Sequence, residues 1–181
     1  MNVKIIIPAK NQFDDVDRIF KSLTEQHSKR PISVLVIDRG STDGMKERIE
    51  NTWDQRMAFL VLKDEGDQNV AYKNMFEQAR SDVVIVLHPK NHIDANYLNT
   101  MVSPFENDQQ VVGVSGPDLG ALPKQGFWEK LLYGNPAFNE ANFAVLKSAY
   151  DRVGGLQPQD GALAIAMLFG RLRQVGALKR L

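Results

Sequence analysis

The sequence predicts a doubly wound α/β fold: a mostly parallel sheet flanked by helices. Two observations carry that expectation. Five short runs, Val3–Ile7, Ser33–Ile37, Met57–Leu62, Val83–Leu87 and Val111–Val114, are rich in Val and Ile and mostly continuous rather than alternating. Strands covered on both faces read that way, as in a parallel sheet between two layers of helices. The segments between the runs carry helical period instead. Strand and helix therefore alternate as far as Val114, with right-handed crossovers expected between parallel neighbours.

Each helix declares itself by an apolar stripe. Val16, Ile19, Phe20 and Leu23 fall at i, i+3, i+4 and i+7, and the same spacing recurs in Tyr72, Met75, Phe76 and Ala79 and in Leu98, Met101, Val102 and Phe105. The helix between the second and third runs opens with the capping residues Ser41-Thr42-Asp43 and has a weaker stripe through Met45, Ile49 and Trp53. After Val114 the rhythm breaks into turn-rich stretches, Gly116 to Gly120, Leu122 to Gly126 and Gly134-Asn135-Pro136, with a short helix expected at Phe127–Tyr133. Phe143–Leu146 reads as one more strand, followed by a helix that stops at Gly154-Gly155. The last helix, Gly161–Val175, is apolar nearly all round from Ala162 to Phe169, the pattern of a helix that is buried or docked on a partner, including a second copy of the chain.

Composition narrows the function classes. The chain has 181 residues, which at about 100–200 residues per domain predicts a single domain, 1–181. Lys plus Arg and Asp plus Glu both total 22, so no net field gathers nucleic acid or anionic membrane. Cysteine is absent, which removes disulfides, thiolate metal sites and thiol nucleophiles. No apolar run approaches the about 20 residues of a membrane span, and Pro8 breaks the first run too early for a secretory segment. The expectation is a soluble, cytoplasmic protein.

In open α/β sheets ligands bind beyond the carboxyl ends of the strands. The residues there are Pro8-Ala9-Lys10-Asn11, then Asp38-Arg39-Gly40-Ser41-Thr42-Asp43-Gly44, then Asp64 to Asn69, then His88-Pro89-Lys90-Asn91-His92. They suit a ligand with hydrogen-bonding edges and anionic groups. Neither a Gly-x-Gly-x-x-Gly turn nor a Gly-x-x-x-x-Gly-Lys-Ser/Thr loop is present, and Pro8 removes a backbone N–H where a pyrophosphate would need one.

Ile5-Ile6-Ile7-Pro8-Ala9-Lys10-Asn11 followed by Val34-Leu35-Val36-Ile37-Asp38-Arg39-Gly40-Ser41-Thr42-Asp43-Gly44 resembles the opening of the family 2 glycosyltransferases with the GT-A fold. The resemblance continues through Val70 to Asn74, Asn142 to Lys147, Val153 to Leu156 and Arg171 to Gly176. It implies a site for a nucleotide-diphospho-sugar, a UDP-sugar first, with residues 1–115 as the nucleotide-binding half and 116–181 as a degenerate acceptor-side half. On that resemblance Pro8, Ala9 and Asn11 line the base and ribose pocket. Asp38 accepts from the N3–H of a uracil-like base, and Lys73 stands in for an arginine near the nucleotide. Arg39 occupies a place where the family often has a second acid. Asp38 and Asp43 also suit plain turn and cap chemistry, which we favour for Asp43 but not for Asp38.

Two of the family's chemical elements are missing. After the fourth strand the family has an Asp-x-Asp motif that holds a divalent Mn²⁺ or Mg²⁺; here His88-Pro89-Lys90-Asn91 follows Leu87, and Lys90 would repel such an ion. One unit charge at about 4 Å and an effective dielectric of about 20 is worth about 4 kcal/mol, or about a thousandfold in rate. Metal-dependent transfer is therefore not expected of these residues; Lys90 turned inward, with His88 beside it, supplies part of the lost charge. An inverting transferase also needs a carboxylate base for the acceptor hydroxyl. The resemblance puts an acidic pair at Ala164 and Ile165, which leaves Asp160 as the nearest catalytic candidate; we favour the plainer reading of Asp160 as an acid suited to a helix N-terminus. His88, His92 and Asp94 could form a metal site, but solvated loop histidines are the simpler reading. The expected function is nucleotide-sugar binding by a transferase-like domain, the alternative being an inactive GT-A scaffold that serves protein interaction.

Overall fold

A computed structural model of the chain describes residues 1–53, 58–63, 67–117, 119 and 139–181, with the side chains of residues 52, 58–63 and 68 excepted. The strands are β1 (Val3–Ala9), β2 (Ile32–Asp38), β3 (Ala58–Lys63), β4 (Val83–Leu87), β5 (Val111–Ser115), β6 (Asn142–Leu146) and β7 (Ala177–Arg180). The helices are α1 (Phe13–Thr24), α2 (Met45–Thr52), α3 (Gln68–Gln78), α4 (Tyr97–Asn107), α5 (Lys147–Arg152) and α6 (Ala164–Leu172), with a 3₁₀ turn at Pro158–Leu163 before α6. The seven strands make one sheet in the order β3-β2-β1-β4-β6-β5-β7. Among the described residues no helix is long and apolar enough to cross a membrane.

The continuous Val and Ile runs follow from two cores. Ile5 and Ile7 on β1 and Val83, Ile85 and Leu87 on β4 pack with Val16, Ile19, Phe20 and Leu23 of α1 and Leu98, Met101, Val102 and Phe105 of α4. Ile6 and Val84, pointing the other way, pack with Tyr72, Met75 and Phe76 of α3 and Leu168, Phe169 and Leu172 of α6. A strand alternates its side chains, so a helix layer on each face leaves it no polar side. All three four-residue stripes read in the sequence are buried.

The structure corrects the sequence reading at the second half of the sheet. β1, β2, β3 and β4 are mutually parallel, but β6 runs antiparallel to both β4 and β5, pairing Val84 with Val145 and Leu87 with Asn142. A five-residue run reveals neither its direction nor its neighbours. The seventh strand, β7, was not foreseen; Ala177-Leu178-Lys179-Arg180 is short and half polar, and pairs with β5 across a register shift between Val111 and Gly113. The last helix is also shorter than expected, ends at Leu172, and is buried on one side only: Leu163 and Met167 remain 46% and 49% exposed. The third run begins at Ala58, since Met57 lies outside the described residues, as do the turn-rich stretches beyond Leu119, the helix expected at Phe127–Tyr133 and Gly134 to Pro136.

Two consequences are testable. At Gly155 (φ +64°) a methyl group would stand 2.7 Å from the Tyr150 ring, which is stacked on Phe76 at 4.6 Å and accepts the Leu156 N–H at 3.0 Å, so it cannot retreat. Overpacking plus a left-handed non-glycine residue makes Gly155→Ala about 2–4 kcal/mol less stable by urea denaturation. Burial also raises two tyrosine pKa values, Tyr150 up to about 12 and Tyr97 beyond that range. The unfolded chain ionises both from about pH 10, so their contribution is complete below that pH and drains away above it at about 1.4 kcal/mol per pH unit for each ring. Tyr150→Phe flattens the alkaline fall of the melting temperature; an unchanged slope overturns the assignment.

Candidate functional site

The order β2-β1-β4 reverses the direction of chain travel between β1 and β4, which makes their carboxyl ends the switch point at which such sheets bind ligands. Two loops are bound together there. Arg39 N–H donates to the Ala9 carbonyl (2.8 Å), continuing the β1–β2 ladder past its Ala9–Asp38 pair. Asn11 takes a left-handed conformation (φ 51°), tolerable for Asn but rare for other side chains. That turn lets its N–H donate to Ser41 Oγ (2.9 Å) while its Oδ1 accepts from the Thr42 N–H (2.8 Å). Asp38 is 4% exposed and its Oδ1 accepts the Ser41 N–H (2.8 Å), closing an Asx turn. The N-cap of α2 is Gly44 (φ 69°) rather than Asp43, whose Oδ1 accepts the Met45 N–H (3.1 Å) two residues on, an Asx turn leading into the helix.

The next strand contributes a second loop. After Leu87 the chain makes a β-turn closed by the Asn91 N–H donating to the His88 carbonyl (3.0 Å), with Pro89 and Lys90 at its tip. Proline presets the φ that this position of a turn requires. His88 Nδ1 accepts the Lys90 N–H (3.3 Å), so the proton of the neutral ring sits on Nε2. Burial, and next the Lys90 charge, lower the His88 pKa, with Asp15 opposing them. From α1, Arg18 donates through Nη2 to the Pro89 carbonyl (3.2 Å) and pairs with Asp15 (2.8 Å).

Beneath this edge lies a buried polar layer that the sequence reading missed. Asn91 and Asn142 are fully buried and Asn139 nearly so. Tyr97 O–H donates to Asn142 Oδ1 (2.8 Å), and Asn142 Nδ2 donates to the Pro117 carbonyl (3.0 Å). Asn139 Nδ2 reaches the same carbonyl (2.9 Å), and its Oδ1 accepts the Ala141 N–H (3.1 Å). Asn91 Nδ2 donates to the Ala141 carbonyl (2.7 Å), which also accepts the His88 N–H (2.8 Å). Three asparagines at strand ends were the available signal, but no local pattern separates a buried amide from a turn residue.

The remaining candidates sit apart. Lys73, on α3, pairs with Glu77 one turn along (3.6 Å). Asp160 lies in the 3₁₀ turn, where Arg171 Nη1 donates to its Oδ2 (3.1 Å) and Arg171 Nη2 donates to the Gly155 carbonyl (2.9 Å). Asn69, at the start of α3, donates to the Gly161 carbonyl (2.7 Å) and so holds that turn against α3. Among the described residues no hydrogen bond or ion pair joins Lys73 or Asp160 to the Asn11–Asp38 loops. Ala164 and Ile165, where the resemblance expects an acidic pair, are buried in the core on that face. His88, His92 and Asp94 do not converge: among the described residues no group of three His, Asp or Glu side chains could hold a metal ion. Two open hollows, of about 320 and 390 Å³, lie elsewhere, one between α4 and Lys179, the other around Lys29, Arg30 and Glu106.

Comparison with known proteins converges on one family. Over 99% of its length the chain superposes on a mannosyltransferase from Pyrobaculum calidifontis solved with GDP-mannose and Mn²⁺, with a TM-score of 0.78 and 17% identity. It superposes equally widely on glucosyl-3-phosphoglycerate synthase from Mycobacterium tuberculosis, solved with Mn²⁺ and UDP (TM-score 0.74, 14% identity), and over its full length on S. aureus TarS, also solved with UDP-GlcNAc (TM-score 0.73, 15% identity). The chain spans 54%, 70% and 56% of those three structures. No curated protein sequence matches it. The sheet order, the crossover pattern and these superpositions identify the GT-A fold, and the profile of glycosyl transferase family 2 matches residues 4–157, so the chain belongs to that family.

Proposed function

We propose that this chain binds a nucleotide-diphospho-sugar, a UDP-sugar first, across the carboxyl ends of β2, β1 and β4. The observation that carries the reading is the cross-linking of the Pro8–Asn11 and Asp38–Thr42 loops beside the switch point, which gives a preorganised edge with polar groups at fixed positions. Asp38 spends one oxygen on Ser41 N–H; its second oxygen is the acceptor for a base N–H. Pro8 and Ala9 supply the apolar floor beside it, and Asn11 sets the loop that covers it. Lys73, already engaged with Glu77 at the surface, adds a positive charge on the α3 side. The solved relatives that hold UDP, UDP-GlcNAc or GDP-mannose support the ligand class.

The Mn²⁺ held by the mannosyltransferase and the glucosyl-3-phosphoglycerate synthase finds no matching donor set among the described residues. His88 Nδ1 is engaged by a backbone N–H, Asn91 is buried under the turn, and Lys90 carries the charge of the ion itself. Oxygen-rich carboxylate sites are what Mg²⁺ and Mn²⁺ require, and no step is assigned to either. For the acceptor half-reaction Asp160 is the candidate base, with Oδ2 committed to Arg171 and Oδ1 outside that ion pair. A second reading, an inactive scaffold that associates through α6, is favoured by one observation: apolar Leu163 and Met167 lie exposed one turn apart beside the buried Ala164 and Ile165.

Titration calorimetry with UDP, UDP-sugars and GDP-sugars tests the ligand class. Asp38→Ala is expected to weaken UDP binding by about tenfold or more, the loss of about 1.4 kcal/mol that one buried hydrogen bond to a charged group supplies. Absence of binding by every nucleotide, with a dimer in light scattering, replaces the reading by the scaffold. Asp160→Asn keeps an oxygen for Arg171; with Asp160 as base, acceptor-dependent UDP release falls by about a hundredfold while UDP affinity stays put. A drop in melting temperature with release unaltered makes Asp160 a clamp for the Gly154-Gly155 turn alone.

A further inference from the structure

We infer that Lys90 takes the place of the divalent cation, so that the diphosphate of a bound nucleotide is held by an ammonium group carried on a braced turn and binding needs no metal. The inference rests on the nucleotide reading above and deepens it. Its ground is the way the β4 turn is built. A cation site at this position would gather carboxylates around an open centre. Here the turn instead presents one positive side chain from a backbone held on three sides.

The first hold is the Asn91 N–H on the His88 carbonyl, which closes the turn behind Pro89 and Lys90. The second is Arg18, which reaches from α1 to the Pro89 carbonyl. The third is Asn91 Nδ2 on the Ala141 carbonyl, tying the turn to the residues that lead into β6. Lys90 is exposed and has no ion-pair partner among the described residues, while Asp15, which faces the neighbouring His88, is occupied by Arg18. An ammonium on a braced turn loses less freedom on binding than one on a free loop, and the rest of the turn offers it no competing carboxylate.

Position completes the argument. The β1–β4 register, with Ile6 opposite Val86, brings this turn alongside Pro8 to Asn11. Asp38 ends the strand on the far side of β1, two strand spacings or about 10 Å away. A nucleoside diphosphate whose base meets Asp38 spans that distance and delivers its phosphates, not its ribose, to Lys90. The neutral His88 ring, with its proton on Nε2, adds a donor without adding charge. The arrangement is a charge-for-charge exchange in part only: one positive charge faces a group that a divalent ion would meet with two.

Calorimetry on the full chain, with UDP and with uridine as probes, in EDTA and again in Mn²⁺, separates the possibilities. The expected result is UDP affinity equal within about twofold in the two buffers, and a loss of about tenfold or more in Lys90→Ala for UDP but not for uridine. Lys90→Arg, which keeps the charge on the same turn, retains UDP binding and rules out a folding defect. UDP affinity that rises about tenfold or more with Mn²⁺, or that is the same in Lys90→Ala, overturns the inference while uridine binding leaves the nucleotide reading standing. Failure of both uridine and UDP to bind the wild-type chain overturns the two together.

Discussion

A layer of buried amides, nearly all of their polar atoms hydrogen-bonded, organises the candidate ligand edge of this protein. Asn142 begins β6 at the level where β4 ends, fully enclosed, with Tyr97 O–H on one side and the Pro117 carbonyl on the other. Asn139 joins the Pro117 carbonyl to the Ala141 N–H, and Asn91 Nδ2 holds the Ala141 carbonyl while its buried Oδ1 has no partner among the described residues. Leaving one such group unpaired costs about 1–3 kcal/mol, so the layer fixes which backbone segments meet there. The antiparallel insertion of β6, the seat of the His88–Asn91 turn and the direction of the chain after β5 all depend on it. Polar groups specify this corner; the apolar cores alone would accept several arrangements.

Above that layer the GT-A frame carries its own set of side chains at the strand ends. The loops after β1 and β2 are tied to each other through Asn11, at the expense of a left-handed backbone at a residue with a side chain. The loop after β4 presents His88 and Lys90 on a turn whose backbone is set by Pro89 and the Asn91 hydrogen bonds, not by the side chains at 88 and 90. Ala164 and Ile165, at the start of α6, contribute packing to the core on that face. Ligand-edge charges and buried acids are therefore separable from the fold that carries them.

Most of the frame was legible in the sequence because it is written in local periodicity. Continuous Val and Ile in Ile5-Ile6-Ile7 and Val83–Leu87 announced two-sided burial, and three stripes at i, i+3, i+4 and i+7 announced the helices that provide it. The parallel run of β1 to β4 was legible, but the antiparallel direction of β6 and the existence of β7 were not, since both are settled by partners distant in sequence: Leu87 with Asn142, and Val111 with Ala177. At the candidate site, the strand-end rule located Asp38, Asn11, His88 and Lys90. It did not reveal that Asp38 and Asn11 spend hydrogen bonds on the next loop, that Lys73 faces Glu77, or that Arg171 holds Asp160, because each of these is a tertiary pairing.

The outermost strand has a consequence for how copies of this chain can meet. β7 is four residues long, lies at the border of the sheet and carries Lys179 and Arg180, both exposed. A border so short and so positively studded is a poor template for a further strand from another molecule, which would have to bury cations against its own backbone. Sheet-to-sheet extension, the usual route by which open α/β layers run into fibrils, is closed at that margin by two side chains.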